Sequence, residues 1–243
     1  MPQLQTEVVL TLFDVLPVTN TMLTAWCLTT MLIGAAALLR LRLRALPSGL
    51  QNLAEPFVET WLALAERTGG RAARRFVPLV GTAFVFILTA NLFGSMPLKH
   101  LTVMSGDGQM VEVFRAATSD LNLTAAIALI IVLAVEVLEV GRLGVRRYLT
   151  SLVMPNPLRW LEMLVRPFSL AFRLFGSIFA GHVLVGTMLS IAPLIVLPFL
   201  ALELFMGLIQ AVIFAMLALV FLSIAIAHED VREPGPSSTR DAA

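Results

Sequence analysis

The sequence predicts an all-α integral membrane protein of about five transmembrane helices, the last two forming a long tilted hairpin. Three observations carry that expectation. Hydrophobic residues make up 58% of the 243-residue chain and charged residues 14%, about half the usual charged share, and mean hydropathy is +0.89. The apolar residues gather in runs long enough to cross hydrocarbon as helix, which takes about 20 residues. The arginines cluster at one end of those runs. One membrane domain, residues 1–243, accounts for the whole chain.

Residues 1–20 hold Glu7 and Asp14 as their only charges, and they are expected to form a short outer segment at the interface. No small-x-small site follows a short apolar core, so a cleaved signal peptide is not expected. The first span is 21–39, nearly 29 Å as helix, ending at Arg40, Arg42 and Arg44 before the breakers Pro47, Ser48 and Gly49. From Leu50 to Ala65, apolar residues at helical spacing oppose Glu55 and Glu59. Phe57 and Trp61 suit either a helix along the membrane surface or a linker helix docked on its own bundle. Arg71, Arg74 and Arg75 make a second basic turn, and 76–96 is the second span, with Asn91 near its far end. Pro97 to Ala117 is expected to be a surface loop with room for a short helix on the membrane. The third span, 122–143, carries Glu136 and Glu139 near its exit. Thr150 to Pro157 is expected to be a turn, because Pro155 and Pro157 cannot continue a helix interior. The hairpin arms, 157–190 and 194–227, are each about 45 Å as helix and must tilt within a core of about 30 Å. Residues 229–243 are polar and proline-rich and are expected to form a disordered cytoplasmic tail.

Arginine placement sets the orientation. Arg40, Arg42, Arg44, Arg67, Arg71, Arg74, Arg75, Arg142, Arg146, Arg147 and Arg159 fall on one side, against Lys99 and Arg115 near the other. The positive-inside rule then puts the N-terminus outside and the C-terminus in the cytoplasm.

The hairpin also carries Arg173, His182, Glu203 and Gln210 at depths where hydrocarbon surrounds the backbone. Such groups are expensive and mark transport paths or polar pairs. Arginine is the strongest case, because it cannot shed its proton to escape the cost. A turn at Pro193 puts His182 level with Glu203, and Arg173 level with Gln210. Glu203 and Gln210 share a helix face, whereas Arg173 and His182 are half a turn out of phase. Gly176, Ala180 and Gly181 offer small faces for close helix packing. The chain has no glycine-rich phosphate loop, and its histidines, His100, His182 and His228, are scattered. Cys27, the single cysteine, precludes an intramolecular disulfide. No cofactor, metal or nucleic-acid site is therefore expected, and the driving force has to be a gradient or another subunit. Two rival functions are an anion-binding secondary transporter or channel and a non-transporting membrane scaffold. The transporter would carry an inverted repeat, and no convincing one is present.

The run R-P-F-S-L-A-F-R-L-F-G-S-I-F-A-G-H (166–182) resembles the a subunit of the membrane sector of F-type ATP synthases. The likeness continues in T-S-D-L-N-L-T (118–124) and in the block from Leu208 to Ala227. It implies a non-catalytic, ion-translocating stator subunit that forms two half-channels against a ring of c subunits. The implied partners are that ring, the b-subunit peripheral stalk, the rest of the synthase and the bilayer, and the implied location is a bacterial inner membrane. Protons are the implied cargo, with Na+ left open. By the same resemblance, Arg173 is the arginine that meets the ring carboxylates and Gln210 the glutamine facing it. Asp120 and Asn122 line access from the outer side, and His182 and Glu203 form an interacting pair. Two departures stand out. Ser177 takes the place of the family's usual asparagine, and Arg159 stands at an inner-mouth position where many members have an acidic or neutral residue. Arg159 either raises the local potential or pairs with Glu162. Both a housekeeping enzyme and a divergent second one fit these changes.

Overall fold

A computed structural model describes residues 8–12, 16–43, 49, 51–95, 102–104, 110–112, 116–153, 158–192 and 195–227. The expected tail, 229–243, and the turn at 154–157 lie outside the described residues. The chain is a helical bundle with two small hairpins. Strands β1 (Val8–Leu12) and β2 (Leu16–Thr19) pair antiparallel, with Leu12 opposite Leu16. Strands β3 (Thr102–Met104) and β4 (Met110–Glu112) do the same, with Val103 opposite Val111. Among the described residues seven α-helices follow the chain: α1 (Asn20–Leu41), α2 (Gln51–Gly69), α3 (Val77–Ser95), α4 (Leu121–Leu143), α5 (Val145–Val153), α6 (Leu158–Ile191) and α7 (Val196–Ala227). Among the described residues, five helical stretches are long and apolar enough to cross a membrane, the last two being the longest.

Local chemistry sets the helix limits. The Thr19 hydroxyl accepts the Met22 amide at the head of α1, and the Asp120 carboxylate accepts the Asn122 amide at the head of α4. Both occupy the N-terminal cap, where unpaired backbone donors need an acceptor. Gly70 and Gly144 end α2 and α4 with φ of 68° and 72°, a conformation that any other residue adopts only with strain. Pro167 lies within α6, which removes one backbone donor from the ladder without ending the helix.

The bundle is built around α7. Its buried stripe of Gly207, Gln210, Ala211, Phe214, Ala218 and Leu222 is flanked by α3, α6, α4 and α2. Alanine and glycine recur along that stripe because small side chains let membrane helices approach closely. Of the two readings open for 50–65, the docked one is realised. Trp61 is buried and its ring lies 5.2 Å from that of Phe84 on α3, while Phe57 stacks on Phe84 at 5.7 Å.

Three expectations need correction. The N-terminal segment expected at the interface and the expected surface loop after α3 each contain a β-hairpin, where no strand was expected. Short segments tied to no apolar period satisfy their backbone groups by pairing with each other. Helix α5 occupies 145–153, so helix extends into the expected turn as far as Val153. Tyr148 explains that extension. Its ring is buried, its hydroxyl donates to the Glu136 carboxylate of α4, and it lies 3.8 Å from the Met163 sulfur of α6.

The end of α3 abuts the short 3-10 turn Ala117–Ser119, and Gly94 makes that contact possible. A Cβ at Gly94 would overlap the Ala116 Cβ and lie 3.0 Å from its Cα, whereas one at Gly81 would meet nothing within 4 Å. Gly94→Ala is expected to cost about 1–3 kcal/mol, the usual cost of overpacking. Gly81→Ala, in the same helix, is expected to cost less than about 0.5 kcal/mol. Denaturation midpoints of the two purified variants in detergent check the contrast.

Candidate functional site

The polar residues of α6 and α7 divide into a buried set between helices and an exposed one. His182 and Glu203 belong to the first. The His182 Nδ1 lies 2.6 Å from the Glu203 Oε1, with side-chain exposures of 15% and 2%. The two side chains are hydrogen-bonded, and the imidazole tautomer decides which of them donates. The expected level pairing of the hairpin is thus formed at this pair. Gly181 permits the approach, since a Cβ there would lie 3.1 Å from the Glu203 Cγ. The other ring nitrogen of His182, Nε2, is buried without a hydrogen-bond partner among the described residues.

Gln210 sits two turns further along the same face of α7, 5% exposed, and its amide nitrogen has no partner among the described residues. Between the two lies Gly207, which receives a residue that sequence reasoning located but gave no role. The Asn91 side-chain amide of α3 donates to the Gly207 carbonyl at 2.8 Å, and its oxygen accepts the Thr118 hydroxyl at 2.7 Å. Two residues on, the Asp120 carboxylate accepts the Thr21 hydroxyl of α1 at 2.8 Å as well as the Asn122 amide. Asn122 contributes its backbone to this cap, and its side chain is exposed. A lone amide inside an apolar span was the available signal for Asn91, because a side chain that can both donate and accept rarely stays unpaired in hydrocarbon.

Arg173 is arranged differently. It is exposed on a face of α6 that continues through Leu161, Val165, Phe168, Phe172, Gly176 and Ala180, all exposed. Among the described residues its guanidinium has no hydrogen-bond or ion-pair partner, and no hydrogen bond joins it to Gln210. The structure therefore brings His182 and Glu203 together and leaves Arg173 and Gln210 apart. The phase difference between Arg173 and His182 explains this, since one arm of a hairpin cannot present both to the other. Ser177, in place of the expected asparagine, turns its hydroxyl back to the Arg173 and Leu174 carbonyls of its own helix, at 3.1 and 3.2 Å. A Cβ at Gly176 would meet nothing within 4 Å, so of the two glycines only Gly181 serves packing inside the chain. The side chains of Arg159 and Glu162 lie outside the described residues. Nearer that end of α6, the Arg166 guanidinium lies 5.4 Å from the centre of the Phe221 ring, a cation–π distance.

Among the described residues no group of His, Cys, Asp or Glu side chains could hold a metal ion. The ATP synthase A chain family profile matches residues 21–223. The chain belongs to that family. It is 36% identical over 222 residues to ATP synthase subunit a 2 of Bradyrhizobium sp., covering 88% of this chain and 93% of that protein. It is 31% identical over 213 residues to ATP synthase subunit a of Moorella thermoacetica, covering 86% and 91%. Against ATP synthase subunit a of Gloeobacter violaceus the identity is 32% over 217 residues, covering 87% and 85%.

In this family member, His182 and Glu203 should be energetically coupled. Single substitutions to Ala are each expected to destabilise the chain, because the first removes a partner from a buried polar group. The double substitution should cost about 1–3 kcal/mol less than the two singles added together. A double-mutant cycle of unfolding in detergent measures this, and additive costs would mean that the pair carries no interaction.

Proposed function

We propose that this chain is the proton-translocating stator subunit of a rotary F-type ATP synthase, forming two half-channels against the c-subunit ring. What carries this reading is the exposed guanidinium of Arg173, without a partner among the described residues, on an apolar helix face. A fixed cation facing hydrocarbon is stable only beside an anion or water. The α6 face is rich in Phe and Leu and ends in Gly176 and Ala180, and such a surface suits another helix better than water. The occupant that answers both demands is a ring of helices, each bearing one carboxylate. Membership of the family supports the same partners, with the b-subunit peripheral stalk and the remainder of the synthase beyond them.

We place the chain in a bacterial plasma membrane, and the arginine clusters argue for the N-terminus outside and the C-terminus in the cytoplasm. In that orientation the α6–α7 turn, Asp120 and the His182–Glu203 pair lie toward the outer side. A proton arriving there passes Asp120 and Asn122, is held between His182 and Glu203, and moves to a ring carboxylate. Neutralised, that carboxylate can rotate into lipid without carrying charge into hydrocarbon. After nearly a full turn it reaches the inner half-channel, near Arg159 and Glu162, and gives the proton to cytoplasmic water. Arg173 attracts the emptied carboxylate and blocks a direct leak between the half-channels. Gln210, buried beside this path with a spare amide donor, orients water or the passing carboxylate. Each proton crossing 100 mV delivers about 2.3 kcal/mol, so several are needed per ATP, whose chemistry belongs to other subunits.

The test is ATP-driven proton pumping, with ATP hydrolysis in parallel, in inverted membrane vesicles. Arg173→Ala should abolish pumping while the complex stays assembled. Pumping at the parental rate by an intact complex would make Arg173 a structural cation and end this reading.

A further inference from the structure

We infer that Asn91 is a positioning residue of the outer proton path, acting through the α7 backbone on Glu203 and Gln210. The inference rests on the proposed function above. Asn91 is 3% exposed and makes two buried hydrogen bonds, donating to the Gly207 carbonyl and accepting from Thr118. Gly207 lies one turn from Glu203 and one turn from Gln210 on the same face of α7. The amide therefore grips the helix at the midpoint between the two polar residues. The absence of a side chain at Gly207 is what admits it, since a Cβ there would lie 2.9 Å from the Asn91 Cβ. Thr118 fixes which way the amide points. With its oxygen held by the Thr118 hydroxyl, the nitrogen must face α7. Thr118 also precedes Asp120 by two residues, and Asp120 is bonded to Thr21. One polar seam thus joins α1, the turn before α4, α3 and α7, and ends one helical turn from the His182–Glu203 pair.

A side chain whose only task was to hold helices together would lower assembly or rate alike at every pH. A positioning residue changes how readily the path takes up a proton. The titratable and charged groups on the elements packed against this part of α7 are His182 and Arg173 on α6 and Asp120 at the head of α4. Helix α3 carries none between Val77 and Ser95, and α7 carries only Glu203. A shift in proton dependence on the outer side therefore reports on this small set.

The experiment uses the whole synthase in proteoliposomes, with the ATP synthesis rate measured against outer pH at fixed inner pH and fixed membrane potential. Asn91→Ala and Gly207→Ala are each expected to raise the half-saturating outer proton concentration about three- to tenfold, the worth of one hydrogen bond. The saturating rate should stay within about twofold, and Thr118→Val should shift in the same direction by less. If Asn91→Ala fails to assemble, Gly207→Ala and Thr118→Val carry the test alone. An unchanged half-saturation, with or without a lower rate, overturns the inference. Arg173→Ala runs beside them: parental pumping by that variant rejects the proposed function, whereas its loss together with parental proton dependence in the Asn91 series rejects this inference alone.

Discussion

A polar side chain placed in hydrocarbon must find a partner or a wet cavity, and α7 follows that constraint along its length. Its polar residues, Glu203, Gln210 and Ser223, all lie on the face turned into the bundle. The opposite face, with Leu197, Leu204, Phe205, Leu208 and Val212, is apolar and exposed. No other helix in the chain buries so continuous a stripe, so α7 becomes the axis on which α3, α4 and α6 pack. The small residues of the stripe are the same constraint seen from the other side. Hydrogen bonds such as Asn91 to Gly207 need backbones close together, and bulky side chains would hold them apart.

Much of this was legible before any coordinates. Span positions follow from apolar runs, and the observed helices differ from the expected spans by one or two residues at most ends. Pairing of His182 with Glu203 follows from the expected turn position and helix rise alone, because two straight arms leave one register free and a turn assumed at residue 193 fixes it. The β-hairpins were not legible, since strand pairing in short loops depends on contacts between segments and leaves no periodic trace. Helix α5 was hidden for a related reason. Arg146, Arg147 and the nearby prolines read as a polar connection, and only the tie from Tyr148 to Glu136 makes it worth folding as a helix. Asn91 shows the limit most clearly: composition marks it as anomalous within α3, but its partner is a backbone carbonyl, and every residue has one.

Arg173 and the buried seam answer one cost in opposite ways. From Thr21 through Asp120, and from Thr118 through Asn91 to Gly207, donors and acceptors are matched within the chain. Matched groups of that kind lose interaction energy with any displacement, so they favour one fixed arrangement. Arg173 has no such match among the described residues, and the Ser177 hydroxyl one turn along is spent on the backbone of its own helix. A charge left unmatched in the chain is stable only beside water or when matched in the assembly. If its partner were permanent, a buried ion pair on a static interface would serve, and the neighbouring helix face would interlock with it. The face around Arg173 instead runs to Gly176 and Ala180, neither buried and the former with open space over its backbone. On the proposed function, an apolar face that ends in small residues beside a fixed cation suits partners that pass in succession, each neutralising the charge briefly. The fixed seam behind it would keep the proton path in register while they pass.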